Sequence, residues 1–145
     1  MNSLALREGM STWLNDFRWD WWFTGTFRKP MKAHVAKPHF EEYLDTLDPS
    51  SYAFIALEKH YLGDGVHVHA LTGNTGHLWR SGAWALWNNT YGRCRILPYV
   101  AGRGAGFYLT KYITKDRLAD WDCFRMEGRR PDPEILTMVK DVFLQ

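Results

Sequence analysis

A chain of 145 residues is of single-domain size and long enough to bury a substantial core. Its 46% apolar and 16% aromatic content excludes a disordered polypeptide, and no apolar run reaches the length of a membrane span. A net charge of +2 identifies no partner by itself. The N-terminus lacks the basic-then-apolar pattern of a secretion signal. Cys94 and Cys123 stand alone, with no CxxC or CxH spacing, so they are expected to be inert thiols in a reduced, cytosolic setting.

In chain order, residues 4–17 carry Leu6, Met10, Trp13, Leu14 and Phe17 at helical spacing. Residues 19–28, dense in aromatics and threonine, are predicted as a strand. Pro38 is predicted to open a helix with Phe40, Tyr43, Leu44 and Leu47 inward and Glu41, Glu42 and Asp45 outward. SYAFIALEKH (51–60) reads as a strand, and Gly63-Asp64-Gly65 turns it into a second strand over 66–73. Residues 78–90 read as a helix rich in tryptophan, with Trp84 and Trp87, like Trp13, expected in the core. RCRILPYV (93–100) is a strand, followed by the glycine-rich AGRGAG (101–106) and a helix bearing tyrosines. Asp132-Pro133-Glu134 is a cap-and-first-turn signature for a last helix with Ile135, Met138, Val139, Val142 and Phe143 on one side. Hairpin strands interleaved with helices predict an α+β fold, one antiparallel sheet with helices packed mainly on one face.

The centre of 65–74, GVHVHALTGN, places His67 and His69 on one face of a strand, two imidazoles side by side. Such a pair can ligate a metal or simply hydrogen-bond. Two histidines leave a divalent ion under-coordinated, so a carboxylate should face them if a metal binds. Strand 51–60 alternates Tyr52, Phe54, Ala56, Glu58 and His60 against Ala53, Ile55, Leu57 and Lys59. Pairing Glu58 with His69 would set His60 opposite His67, with all four on one face. Glu58 is then either a third ligand or a solvent-facing glutamate. His60 can be a fourth ligand, a supporting group or, the favoured reading, a bystander. The set His67, His69 and Glu58 would leave positions open for phosphate oxygens and water. Its mixed nitrogen and oxygen donors suit Mn²⁺ and tolerate Mg²⁺.

On a helix, Tyr108, Lys111, Tyr112 and Lys115 fall at i, i+3, i+4 and i+7, a single stripe of two phenols and two ammonium groups. Leu109 and Ile113 lie to one side as anchors. Nearby cations favour phenolate over phenol and would neutralise a phosphodiester. From Gly92 to Arg117 six basic residues (Arg93, Arg95, Arg103, Lys111, Lys115, Arg117) face one acid, Asp116, a composition suited to a phosphate-binding surface.

Three segments, WWFTGTF (21–27), HVHAL (67–71) and YLTKYITKD (108–116), occur in this order over most of the chain. Together they resemble motifs 1, 2 and 3 of the His-hydrophobic-His (HUH) endonucleases, which nick single-stranded DNA with a tyrosine. The resemblance implies a ferredoxin-like or RRM-like sheet. It also implies Glu58, an acid nine residues before His67, as third metal ligand. Tyr112 would be the principal nucleophile, followed by Lys115 and Asp116, and Tyr108 a second nucleophile, as in initiators reading YxxKYxxK, or else a packing or stacking ring. It further implies a nicking and joining enzyme for rolling-circle replication of a plasmid or virus. Such an enzyme would form a covalent 5′-phosphotyrosine on origin DNA and act in the host cytoplasm with a host helicase and polymerase. Thr24 and Thr26 can bond the DNA backbone or simply favour the strand, and Arg103 can contact phosphate. Trp21, Trp22, Phe23 and Phe27 can offer a stacking face along the first strand. Two other readings stay open: a single-tyrosine HUH transposase, and a non-catalytic RRM-like nucleic-acid-binding module.

Overall fold

The computed structural model describes residues 3–60, 63–108 and 118–127, with side chains from residue 8 onward. The helices are α1 (Ser3–Leu14), α2 (Ala33–Leu47), α3 (Arg80–Thr90) and a single turn, α4 (Ala105–Tyr108). The strands are β1 (Trp21–Gly25), β2 (Tyr52–Lys59), β3 (Val66–Gly73), β4 (Cys94–Pro98) and β5 (Leu118–Phe124). They form one five-stranded sheet in the order β4-β1-β3-β2-β5, antiparallel at every pairing. The fold is α+β, compatible with a ferredoxin-like or RRM-like sheet. The helix expected over 134–143 lies outside the described residues. Among the described residues no helix is long and apolar enough to cross a membrane.

Alternation along β2 and β3 divides the apolar residues between two faces. Ala53, Ile55, Leu57, Val66, Val68 and Ala70 pack with Trp21, Phe23 and Ile96 beneath α2 and α3. Tyr52, Phe54, Ala56 and Leu71 face the other way, against Met10, Trp13 and Leu14 of α1 and Tyr108 of α4. Helices α2 and α3 thus share one face, while α1 and α4 occupy part of the other.

The helix expected to open at Pro38 begins five residues earlier, at Ala33, and holds Pro38 inside it. Proline forfeits the N–H bond to the carbonyl four residues back, a cost of about 3 kcal/mol. Burial of Ala36, Phe40, Tyr43 and Leu44 along one stripe offsets it.

β5 is an element that hydrophobic periodicity does not predict. Its ladder with β2 slips between Leu57 and Glu58, so Leu57 faces Asp120 while Glu58 faces Leu118. This bulge sets Leu118 and Trp121 three residues apart on one face and breaks the period of two. Asp120 and Asp122 occupy the other face, where Lys37 of α2 approaches them at 3.2 and 3.7 Å. These carboxylates hold the Lys37 ammonium above its ordinary pKa despite partial burial.

Five of the eight tryptophans (Trp13, Trp19, Trp21, Trp87 and Trp121) are buried. Trp84, expected in the core, is half exposed instead, and Trp79 is more exposed still. Their neighbours Ala83 and Trp87 take the inward stripe of this short helix. Trp87 is fully buried, edge-on to Phe23 at 5.0 Å, with its indole N–H donating to the carbonyls of Arg93 and Thr26. Trp87→Ala is expected to cost about 3–5 kcal/mol, much of a typical domain's stability. A urea titration should show a lower midpoint at unchanged slope, and a shift under 1 kcal/mol would contradict this packing role.

Candidate active site

The pairing of β3 with its neighbours decides what the two histidines meet. Thr24 of β1 stands opposite His69 and, on its other side, opposite Arg95 of β4. Ala56 of β2 stands opposite His69 and Trp121. One row across the sheet therefore reads Arg95, Thr24, His69, Ala56, Trp121, all on the α1 face. Glu58 is opposite His67, one row further toward the β2–β3 turn.

This register differs by two residues from the pairing of Glu58 with His69. The turn closes with the His60 N–H bonded to the Gly65 carbonyl. Gly65, at φ +101°, belongs to the end of the ladder, where a Cβ would stand 2.7 Å from the Met31 backbone nitrogen. The correction leaves the shared face intact, because two residues preserve the pleat.

His69 is 6% exposed and contacted at both ring nitrogens. Its Nε2 lies 3.3 Å from Glu58 Oε1, a diagonal contact from β3 to β2, and its Nδ1 lies 3.5 Å from Thr24 Oγ1. An ionised Glu58 can only accept, so the proton of a neutral His69 sits on Nε2 and the Thr24 hydroxyl donates to Nδ1. Thr24 thus orients the ring, a role absent from its expected place on the DNA backbone. The β1–β3 register is the signal that identifies it. His67 is half-buried, its ring centroid 3.7 Å from that of His60 with the two planes tilted by 54°. As the side chains stand, no three His, Cys, Asp or Glu groups among the described residues converge as a metal-ligand set.

The donor chemistry nonetheless fits a divalent ion. Two donors about 2.0–2.2 Å from one ion are about 3.0–3.4 Å apart at octahedral to tetrahedral angles. His69 Nε2 and Glu58 Oε1 are 3.3 Å apart, the spacing that a cation replacing the shared proton requires. His67 stands opposite Glu58 in the ladder, on the same face.

Tyr108 is 1% exposed, between Trp22 and Tyr99 at 5.1 Å each, and its hydroxyl accepts the Val100 N–H at 2.9 Å. Trp22 is two residues from Thr24 on the same face of β1. Lys111, Tyr112 and Lys115 lie outside the described residues.

The remaining predicted groups are dispersed. The Thr26 hydroxyl donates to the Arg93 carbonyl at 3.3 Å, a tie between β1 and the segment entering β4. Arg103 lies in a 3-10 turn (Ala101–Arg103) beyond the Pro98 end of β4, over the Phe107 ring at 5.1 Å. The histidines sit toward the other end of the strands, so Arg103 is not beside them. β1 offers no open stacking face: Trp21 and Phe23 are buried, Trp22 packs on Tyr108, and Phe27 packs on Trp87. Burial pushes the Cys94 thiol up to about 11, which suits an inert group rather than a nucleophile.

No model of a known protein family, no curated protein and no solved structure matches this chain.

Proposed function

We propose that this chain is a metal-assisted nicking and joining enzyme for single-stranded DNA, of the HUH type, serving rolling-circle replication of a plasmid or virus. The observation that carries the reading is the cluster on one sheet face: His69 held between Glu58 and Thr24, with His67 opposite Glu58. Glu58, His67 and His69 would hold Mn²⁺ or Mg²⁺. When bound, the ion supplies polarisation of the scissile phosphate. With an ion on Nε2, the His69 proton would sit on Nδ1 and be donated to the Thr24 hydroxyl, which would fix the ring's orientation. Lys111 and Lys115 lower the cost of the Tyr112 phenolate and neutralise the phosphodiester. The phenolate oxygen then bonds to phosphorus, the bond to the 3′ oxygen breaks, and that oxygen leaves with a proton as a free hydroxyl. The phosphotyrosine retains the bond energy for rejoining. Burial of Tyr108 and its bond to Val100 favour packing over attack. A helicase and a polymerase, which the host can supply, would unwind and copy the DNA.

Incubating the protein with labelled single-stranded DNA and Mn²⁺ tests this directly, and a denaturation-resistant covalent adduct is the expected product. Single strands should be the substrate, because the tyrosine must reach a backbone phosphate that no partner strand obstructs. An oligonucleotide should be nicked, and the same sequence in a relaxed linear duplex should not. Comparable rates on the two forms would contradict the proposal. The five-stranded antiparallel sheet equally suits a non-catalytic RRM-like binding module, and salt-sensitive binding with no adduct would favour that reading. Preference for a hairpin, bound as a dimer, would favour the transposase.

A further inference from the structure

We propose that the edge formed by α3 and β4 is a track for single-stranded DNA. Trp79 and Trp84 would stack bases, and Arg80, Arg93 and Arg95 would contact phosphates. The identity of the polymer as DNA rests on the nicking function above, and the track itself rests on three separate observations.

The first is exposure. Trp79 is 83% exposed and Trp84 50%, whereas the other described tryptophans are buried or half-buried. A large ring left in water is informative where its neighbours are so thoroughly packed. The second is placement. Arg80 Nη1 donates to the Ile96 carbonyl at 3.3 Å, and Asn88 Nδ2 lies 3.5 Å from Cys94 Sγ, so α3 runs alongside β4. Cys94 Sγ also lies 3.9 Å from the Trp84 carbonyl oxygen, which puts Arg80 and Trp84, one helical turn apart, beside the outermost strand. Arg93 and Arg95 are exposed on that strand and its approach. Arg95 shares its row with Thr24 and His69, so a strand leaving the edge passes onto the face of the candidate metal ligands.

The third observation is charge. From Gly65 to Lys115 there is no aspartate or glutamate, so all 16 acids of the chain lie elsewhere. The same run carries Arg80, Arg93, Arg95 and Arg103. A surface of exposed rings and exposed guanidinium groups complements a polyanion with stackable bases. Every base has a π-face, so such a track tolerates sequence and would deliver the strand rather than select it.

The test is equilibrium binding of a fluorescein-labelled oligothymidylate, followed by anisotropy in EDTA so that no cleavage intervenes. Trp79→Ala and Trp84→Ala should each weaken binding about 5- to 150-fold, and Trp84→Phe should retain most of the affinity. Arg95→Ala should lower the slope of log affinity against log salt by about 0.7, the loss of one phosphate contact on a single strand. The altered side chains are exposed, and an unchanged melting curve will establish that each variant is folded. Unaltered affinity in both tryptophan variants, or no binding by the parent protein, would overturn the track. A change in oligomeric mass with unaltered affinity would also overturn it and make the patch a self-association surface. The two proposals fail separately. Lost binding in the variants with no covalent adduct under Mn²⁺ keeps the track and removes the nicking function. An adduct with unaltered variant binding removes the track alone.

Discussion

Tyr112→Phe is expected to abolish the covalent protein–DNA adduct while leaving the fold and oligonucleotide binding intact. The substitution removes one oxygen and keeps the ring, so the proposed attacking atom is lost with the smallest change in shape. Losing a nucleophile removes the covalent route altogether, and adduct formation should fall by several orders of magnitude. Tyr108→Phe separates the two phenols by a different signature. The Tyr108 hydroxyl accepts the Val100 N–H in a buried site, so its removal should cost about 1 kcal/mol of stability. First-strand cleavage should persist in that variant. Impaired strand transfer after normal cleavage would instead give Tyr108 the second-nucleophile role. Peptide mass spectrometry of the adduct decides between them. DNA on Tyr108 alone would reverse the assignment, and DNA on neither, with metal and single strand supplied, would leave a binding module.

The part of the site that was legible in the sequence is the part governed by the two-residue period. His67 and His69 share a face because strands alternate, and Glu58 joins them because the hairpin preserves that alternation whichever even register it takes. The register itself was not legible. It depends on Gly65 closing the ladder with His60, and on the Met31 carbonyl accepting the Val66 N–H, a contact with a distant segment. The Thr24–His69 contact was hidden for the same reason, since β1 and β3 are separated by 45 residues at that point. Where tertiary packing overrides local rules, the sequence misleads in a physically consistent way. Pro38 is a helix-opening signal until burial of Ala36 and Phe40 extends the helix past it. The strand β5 is masked by its bulge and by two aspartates whose charges Lys37 of α2 answers from the same face. Trp84 has core spacing within α3, yet Ala83 and Trp87 take the inward positions. The helical stripe that joins Tyr108 to Tyr112 remains a reading of spacing, because only its first residue lies among those described.

His69→Ala should be the most damaging change at the proposed metal ligands, for a reason that geometry makes specific. It removes the nitrogen 3.3 Å from Glu58 Oε1 and leaves that carboxylate, itself buried, without this contact. Part of the effect is therefore structural, on the order of 1–3 kcal/mol, and activity must be compared well below the melting temperature. The catalytic part is expected to be larger, a loss of adduct by orders of magnitude, because two remaining donors hold a divalent ion poorly. His67→Ala should match it in activity at a smaller stability cost, since His67 is only half-buried and leans on His60. A readout independent of catalysis is the effect of Mn²⁺ on melting. An ion that binds the native state stabilises it by about 2.7 kcal/mol at a hundred times its dissociation constant. The parent protein should gain that stability, Glu58→Gln should gain less, and His69→Ala should gain almost none. Chelation with EDTA should reversibly silence the proposed activity of the parent protein, which should return on addition of Mn²⁺. Full adduct formation in EDTA, together with no shift of melting by Mn²⁺, would remove the metal from the site and leave His69 as a buried histidine held by Glu58 and Thr24.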